Sequence, residues 1–167
     1  MNMDSFTTLP SPFGVFILAA DIQGICAIHL PTSIKSIPFP PECQVPLDAH
    51  PLLAEAGRQL LAYVEGRLTV FDLPLSLNGT PFQKQVWQEL LAIPYGHTQT
   101  YGELAQRIGG RGKARAVGGA AHANPVAIVI PCHRLIGAGG KLTGFGGGLP
   151  MKQTLLDLER NSLRETK

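Results

Sequence analysis

The sequence predicts a mixed α/β (α+β) protein built in two parts, and three observations predict it. The chain opens with β-rich apolar runs, continues with amphipathic helical periodicity, and changes texture near residue 77, where "SLNGT" reads as a linker. With 167 residues, 44% of them hydrophobic and 16% charged, it is long enough to bury a core in each part. We therefore read an N-terminal α/β domain over residues 1–77 and a C-terminal domain over 78–167.

Taken in order, "FGVFILAADIQGICAIHL" places two apolar runs around "DIQG", the pattern of a hairpin with its turn at Asp21 and Gly24. The proline-rich "TSIKSIPFPPECQVPLDAHP" cannot continue a sheet and reads as a long irregular connection. Leu52, Ala56, Leu60 and Val64 then fall at four-residue steps, giving a helix that ends near Gly66, after which "TVFDLPL" is expected to return as a strand. Beyond the linker, Thr80 and Pro81 are an N-cap and first-turn proline. The helix they start carries Phe82, Val86 and Leu90 on one face, widened by Trp87 and Leu91 and stopped by Pro94.

Thr100 and Glu103 have capping-box spacing for a short helix, "YGELAQRIG". Gly109 and Gly110 close it, and "GRGK" turns into "ARAVGGAAHA". Two short helices about a glycine-rich basic turn outline a helix-turn-helix, a pattern that a helix pair in a bundle also shows. Gly118, Gly119, Ala120 and Ala121 leave little bulk on the second helix, so another backbone, protein or nucleic acid, can approach closely. The last helix, "PMKQTLLDLER", starts at Pro150 and carries Glu159 near its end.

Charge separates along the chain. Residues 1–75 hold seven acids and three bases, whereas from His97 to Leu156 a single acid, Glu103, stands against Arg107, Arg111, Lys113, Arg115, Arg134, Lys141 and Lys152. Such a segment is either an ordinary solvated surface or a face for a polyanion such as nucleic acid. No apolar run nears the roughly 20 residues that span a bilayer, and the N-terminus lacks a signal-peptide pattern, so the expected location is the cytoplasm. Cys26, Cys43 and Cys132 are odd in number and widely spaced, which argues for reduced thiols.

"AIVIPCHRLIG" poses the chemical question. We read "VAIVI" as a strand stopped by Pro131, which leaves Cys132 just past a strand end beside His133 and Arg134. Either cation favours a thiolate, provided residues 131–134 turn tightly. A buried filler cysteine remains the competing reading. A metal site is the weakest one, because no CxxC or CxxH pair lies nearby; Cys26 and His29 fall on opposite faces of their strand and read as structural. Downstream, "GAGGKLTGFGGG" is a glycine-rich segment suited either to a linker or to the wall of a flat site.

Together, "GTPFQKQVWQELLAIPYGHTQTYGELA", "ARAVGGA", "NPVAIVIPCHRLIG" and "LTGFGGGLPMKQTLLDLE" resemble the methylated-DNA-protein-cysteine methyltransferases, the O6-alkylguanine-DNA alkyltransferases, over about residues 79–160. The resemblance implies an N-terminal ribonuclease-H-like domain and a C-terminal winged-helix-like domain with a helix-turn-helix. It also implies single-turnover DNA repair: O6-alkylguanine is flipped out of double-stranded DNA and its alkyl group passes to Cys132. No metal or other cofactor is implied, and no membrane or obligate protein partner; a monomer is expected.

By the same resemblance, His133 acts through a water with Glu159 behind it, Asn124 holds the active-site turn, and Tyr101 faces the flipped base. Arg115 would fill the gap in the stack, with Thr100, Ala116, Gly118, Gly119 and Ala121 at the minor groove. Pro131, Leu135, Phe145, Gly146 and Gly147 would line the pocket. Phe145 and Gly146 depart from the family pattern, which has tyrosine and then alanine or serine there. Three rivals explain less: a non-catalytic alkylguanine reader lacks the cysteine, a cysteine hydrolase needs an oxyanion hole with no counterpart here, and a transcriptional module leaves "PCHR" unused.

Overall fold

A computed structural model describes residues 3–33 and 37–165. The chain divides into two compact units, Met1–Asn78 and Gly79–Lys167. Residues 34–36 of the proline-rich connection lie outside the described residues.

In the first unit an antiparallel sheet has the order β1 (Ser5–Ser11), β2 (Gly14–Ala20), β3 (Ile25–His29). The expected hairpin is β2–β3. Its turn forms because the Asp21 carboxylate accepts the N–H groups of Gln23 (2.8 Å) and Gly24 (3.0 Å), an Asx arrangement that aspartate makes locally. Strand β1 was not legible as a strand, because Thr7 and Thr8 break its apolar pattern and Pro10 reads as a breaker; at a position opposite Val15 near the strand end, proline is tolerated. From Phe16 to Ala20 every residue of β2 is buried, so both faces of the strand are covered.

One cover is α1 (Pro51–Val64), whose Gly57 lies against Leu9 and Leu47. Leu53, Ala56, Leu60 and Val64 are its inward side; Leu52 is only half-buried, so the stripe runs one residue off the expected start. The other face gathers Phe6, Ile17, Ala19, Cys26 and Ala27, with Phe39 and Cys43 against them. Cys26 is therefore a core residue, and burial pushes its thiol up to about 11. The connection is irregular, as expected, apart from short 3₁₀ turns.

"TVFDLPL" does not form a strand. Only Leu75 bridges to Ile25, through Ile25 N–H to Pro74 O (2.8 Å) and Ser76 N–H to Ile25 O (2.9 Å). Pro74 has no N–H to extend a ladder. Upstream, the buried Gln59 amide takes the place of a partner strand: it accepts Asp72 N–H (2.9 Å) and donates to Asp72 O (2.9 Å).

The second unit starts at the Thr80 cap. Thr80 and Gln83 exchange both capping-box bonds, and α2 (Pro81–Leu91) buries Val86, Trp87 and Leu90. Leu91 does not widen that face; it is 45% exposed. Then follow β4 (Gln99–Thr100), α3 (Tyr101–Arg107), α4 (Ala114–His122), β5 (Leu135–Ile136) and α5 (Leu149–Glu165). Strands β4 and β5 pair in parallel, and Trp87 Nε1 donates to Ala120 O (2.9 Å), tying α2 to α4. Thr100 caps α3 with Glu103 as the spacing predicts, and α3 and α4 form the helix-turn-helix. Helix α5 starts one residue earlier than expected and continues past Arg160, which puts Glu159 within it rather than near its end. Among the described residues, no helix is long and apolar enough to cross a membrane.

Candidate functional site

"VAIVI" is a turn rather than a strand. Asn124 folds it: its carboxamide oxygen accepts Val126 N–H (3.0 Å), and its Nδ2 donates to Ile130 O (2.8 Å) and to Cys132 Sγ (3.2 Å). Ile130 N–H closes back on Val126 O (3.0 Å), and Val129 N–H on Ala127 O (2.9 Å). An extended segment cannot make these contacts over so few residues. The cost falls on Ile128, a β-branched residue held at φ 72°, where only glycine and a few polar residues are comfortable.

Pro131 ends the turn, and residues Cys132–Arg134 form one 3₁₀ turn, the tight geometry the cysteine reading required. His133 points into the protein. Its Nε2 lies 2.8 Å from Glu159 Oε1, with both side chains fully buried. Arg134 settles beside them rather than on the surface. Its Nε and Nη2 donate to Glu159 (2.9–3.2 Å), Nη1 donates to Ile93 O (2.6 Å), and the guanidinium lies 5.7 Å from the centre of the Tyr95 ring. Gly96 N–H supplies one more donor to Glu159 Oε2 (2.8 Å). Gly96 stands at φ 75°, and a Cβ there would strike Leu163, so this donor requires glycine.

The protonation states follow. Burial alone would raise the Glu159 carboxyl, but the hydrogen bonds and charges of its partners outweigh it and hold the group at about 2. Burial lowers His133, and the Glu159 contact only partly opposes this, so the ring is neutral at pH 7. A neutral ring facing an ionised carboxylate donates Nε2–H and keeps its lone pair on Nδ1. Burial pushes the Cys132 thiol up, offset in part by Asn124 and Lys152. The resting sulfur is a thiol that needs a base.

Lys152 is a site residue that sequence reasoning counted only among the basic surface. It is fully buried, its Nζ donates to Thr143 O (2.8 Å) and Gly144 O (3.3 Å), and it sits 5.8 Å from the centre of the Tyr101 ring. Burial lowers its ammonium to about 8, while Cys132 acts the other way. Tyr101 Oη donates toward the same two carbonyls, at 3.2 and 3.3 Å. Two side chains thus pin the glycine segment, and the linker reading of it falls. Beyond the pin, Phe145 is half-buried and Gly146 exposed, whereas Pro131, Leu135 and Gly147 are buried.

On α4, Arg115, Ala116 and Gly119 are exposed and Gly118 is half-buried against the Tyr101 ring edge. Ala121 does not belong to that outer face. At 7% exposure it turns inward, next to the Ala120 whose carbonyl Trp87 holds. The basic segment also loses Arg134 and Lys152 to the interior, and Arg107 is paired with Glu89 (2.9 Å).

A family model described as "6-O-methylguanine DNA methyltransferase, DNA binding domain" matches residues 81–161, and one described as "6-O-methylguanine DNA methyltransferase, ribonuclease-like domain" matches residues 5–77. A methylated-DNA–protein-cysteine methyltransferase of Methanosarcina acetivorans is 46% identical over 154 residues, spanning 92% of this chain and 97% of the relative. The chain belongs to the 6-O-methylguanine DNA methyltransferase family. A Mycobacterium leprae protein of the same name is 44% identical over 162 residues, spanning 93% of this chain and 92% of its own. Among solved structures, Mycobacterium tuberculosis OGT in complex with DNA superposes with a TM-score of 0.84 at 43% identity, covering 95% of this chain and 94% of that one.

For a 6-O-methylguanine DNA methyltransferase, the two-domain α/β fold read from the sequence is the family's own: a ribonuclease-like domain followed by a DNA-binding one. The structure joins Asn124 to Cys132 and, on the next residue of the same turn, His133 to Glu159, with Tyr101 beside Lys152. Arg134, Gly96 and Lys152 are the members that sequence reasoning did not place. The one signal in reach was the position of Lys152 seven residues before Glu159, about two helical turns and so the same side of a helix. Among the described residues, no group of three or more His, Cys, Asp or Glu side chains is arranged to hold a metal ion.

Proposed function

We propose that this chain repairs O6-alkylguanine in double-stranded DNA by moving the alkyl group irreversibly to Cys132, once per protein molecule. The observation that carries the reading is a pair of contacts on one turn, Asn124 to Cys132 Sγ and the adjoining His133 to the buried Glu159, set in the same unit as a helix-turn-helix. His133 Nδ1, working through a water, takes the thiol proton, and Glu159 keeps Nε2–H in place. The thiolate attacks the alkyl carbon, the S–C bond forms as the C–O6 bond breaks, and the electron pair leaves with guanine, which takes up a proton. The product thioether has no easy leaving group, so the protein is spent.

Access to the carbon requires the base to leave the stack. Arg115 on the exposed face of α4 enters the vacated space, and Ala116, Gly118 and Gly119 let the helix lie close to the minor groove. Thr100 keeps its hydroxyl on Glu103, so its part is to fix the start of α3. Tyr101 and Lys152 hold the pocket wall formed by the glycine segment, where Phe145 offers an apolar face and Gly146 an open backbone. The Mycobacterium tuberculosis relative bound to DNA supports the choice of DNA as partner.

Intact-mass measurement after mixing with excess O6-methylguanine duplex tests this. The expected result is one added methyl per chain, absent in Cys132→Ala. Tight duplex binding with no gain in mass would overturn the transfer reading.

A further inference from the structure

Arg134 is a buried charge that the transfer mechanism leaves without a task. It is anchored on three sides: the Ile93 carbonyl at Nη1, the face of Tyr95, and Glu159 at Nε and Nη2. A group needed only to brace the turn does not require a carboxylate shared with the base. We infer that Arg134 is a positioning residue for proton transfer: by neutralising Glu159 through its fork, it keeps His133 uncharged with the lone pair on Nδ1. This rests on the reading of Cys132 as alkyl acceptor and His133 as its base.

The groups facing His133 from each packed element are few. Arg134 comes from its own turn and Glu159 and Lys152 from α5, while from the segment before β4 the Gly96 N–H meets Glu159 and the Tyr95 ring meets Arg134. With Arg134 present, the negative carboxylate is matched by one fixed positive charge. Without it, the buried carboxylate draws a proton into the pair. If the proton settles on the ring, Nδ1 carries it and no base remains. If it settles on Glu159, the carboxyl O–H donates to Nε2, the ring hydrogen moves to Nδ1, and again no lone pair faces the thiol. Either outcome removes the base by the same titration, and raising the pH restores it.

The test compares the parent with Arg134→Gln and Arg134→Lys, using a free O6-substituted guanine so that DNA binding plays no part. The expected ratio of Arg134→Gln rate to parent rate falls roughly tenfold per pH unit below the pair's new midpoint and recovers in alkali. Arg134→Lys, which keeps the charge, shows a constant ratio across the same range. Nitrogen-15 NMR of His133 gives a second readout that does not need activity: in the parent the ring is a neutral Nε2–H tautomer at pH 7 and above. A pH-independent loss in Arg134→Gln, or a parent ring that is protonated at pH 7, would overturn the inference. If Arg134→Gln does not fold, the parent spectrum and the Arg134→Lys profile decide it. A parent that never gains alkyl mass sinks the transfer reading instead, while the NMR result still stands or falls alone.

Discussion

Two apolar runs of five residues, "FILAA" at 16–20 and "VAIVI" at 126–130, read alike in sequence and fold differently. The first is a strand with neighbours on both sides, and its backbone groups pair with β1 and β3. Among the described residues, the second has no strand beside it. Val126 and Ile130 close on each other and on the Asn124 carboxamide, and residues Cys132–Arg134 follow as a 3₁₀ turn. β-propensity says that a segment fits a pleated, half-buried surface, and whether such a surface exists is decided elsewhere in the chain. In one region the apolar run makes a core; in the other it makes a buried pedestal for a cysteine.

The difference is open to direct test. Leu18→Ala in β2 removes a fully buried side chain and is expected to cost about 2–5 kcal/mol in urea denaturation, while the folded fraction still takes up one alkyl group per chain. Asn124→Ala is expected to cost less stability, about 1–3 kcal/mol for the buried partners it leaves unpaired, yet to slow alkyl transfer by orders of magnitude because the thiol loses its donor and its turn. If the Asn124 variant kept the parent's transfer rate, the pedestal account would fail.

Acid separates the regions with the smallest effect near neutrality. His133 sits below its ordinary value of 6.5 in the fold, so the unfolded chain binds a proton first. Stability is therefore full above about pH 6.5 and declines as pH falls, by at most about 1.4 kcal/mol per pH unit for one proton. Glu159, moved from 4.5 to about 2, adds a second loss between those values as its carboxylate is protonated on unfolding. Strand β2 has no ionisable side chain, so Leu18→Ala should shift the whole stability-against-pH curve without changing its shape. A curve whose acid limb moved with Leu18 would place the titrating groups elsewhere.

Local chemistry was legible wherever a bond closes within a few residues. The Thr80 cap, the Thr100–Glu103 capping box, the Asp21 turn, the stop at Pro94 and the glycines that end α3 are all of this kind. So was the neighbourhood of Cys132, since "PCHR" brings a proline, a thiol and an imidazole together in sequence. The strands expected at "TVFDLPL" and "VAIVI" do not form, and β1 goes unannounced, for a common reason. Each depends on which backbone lies alongside, and the Gln59 and Asn124 amides that replaced strand partners do so over 13 and 6 residues or fewer in ways that composition does not announce.

By itself, the sequence determined the helices with their N-terminal caps at Thr80 and Thr100, the two-part organisation and the identity of the thiol with its neighbouring imidazole. Tertiary structure alone decided the charge states. Arg134 and Lys152 look like surface bases until α5 packs against the turn, because a long side chain reaches either water or a buried acceptor from the same backbone position. What makes the difference is desolvation. A carboxylate, a guanidinium and an imidazole buried together constrain one another's protons, and that constraint exists only once Glu159 is brought 26 positions back along the chain to His133.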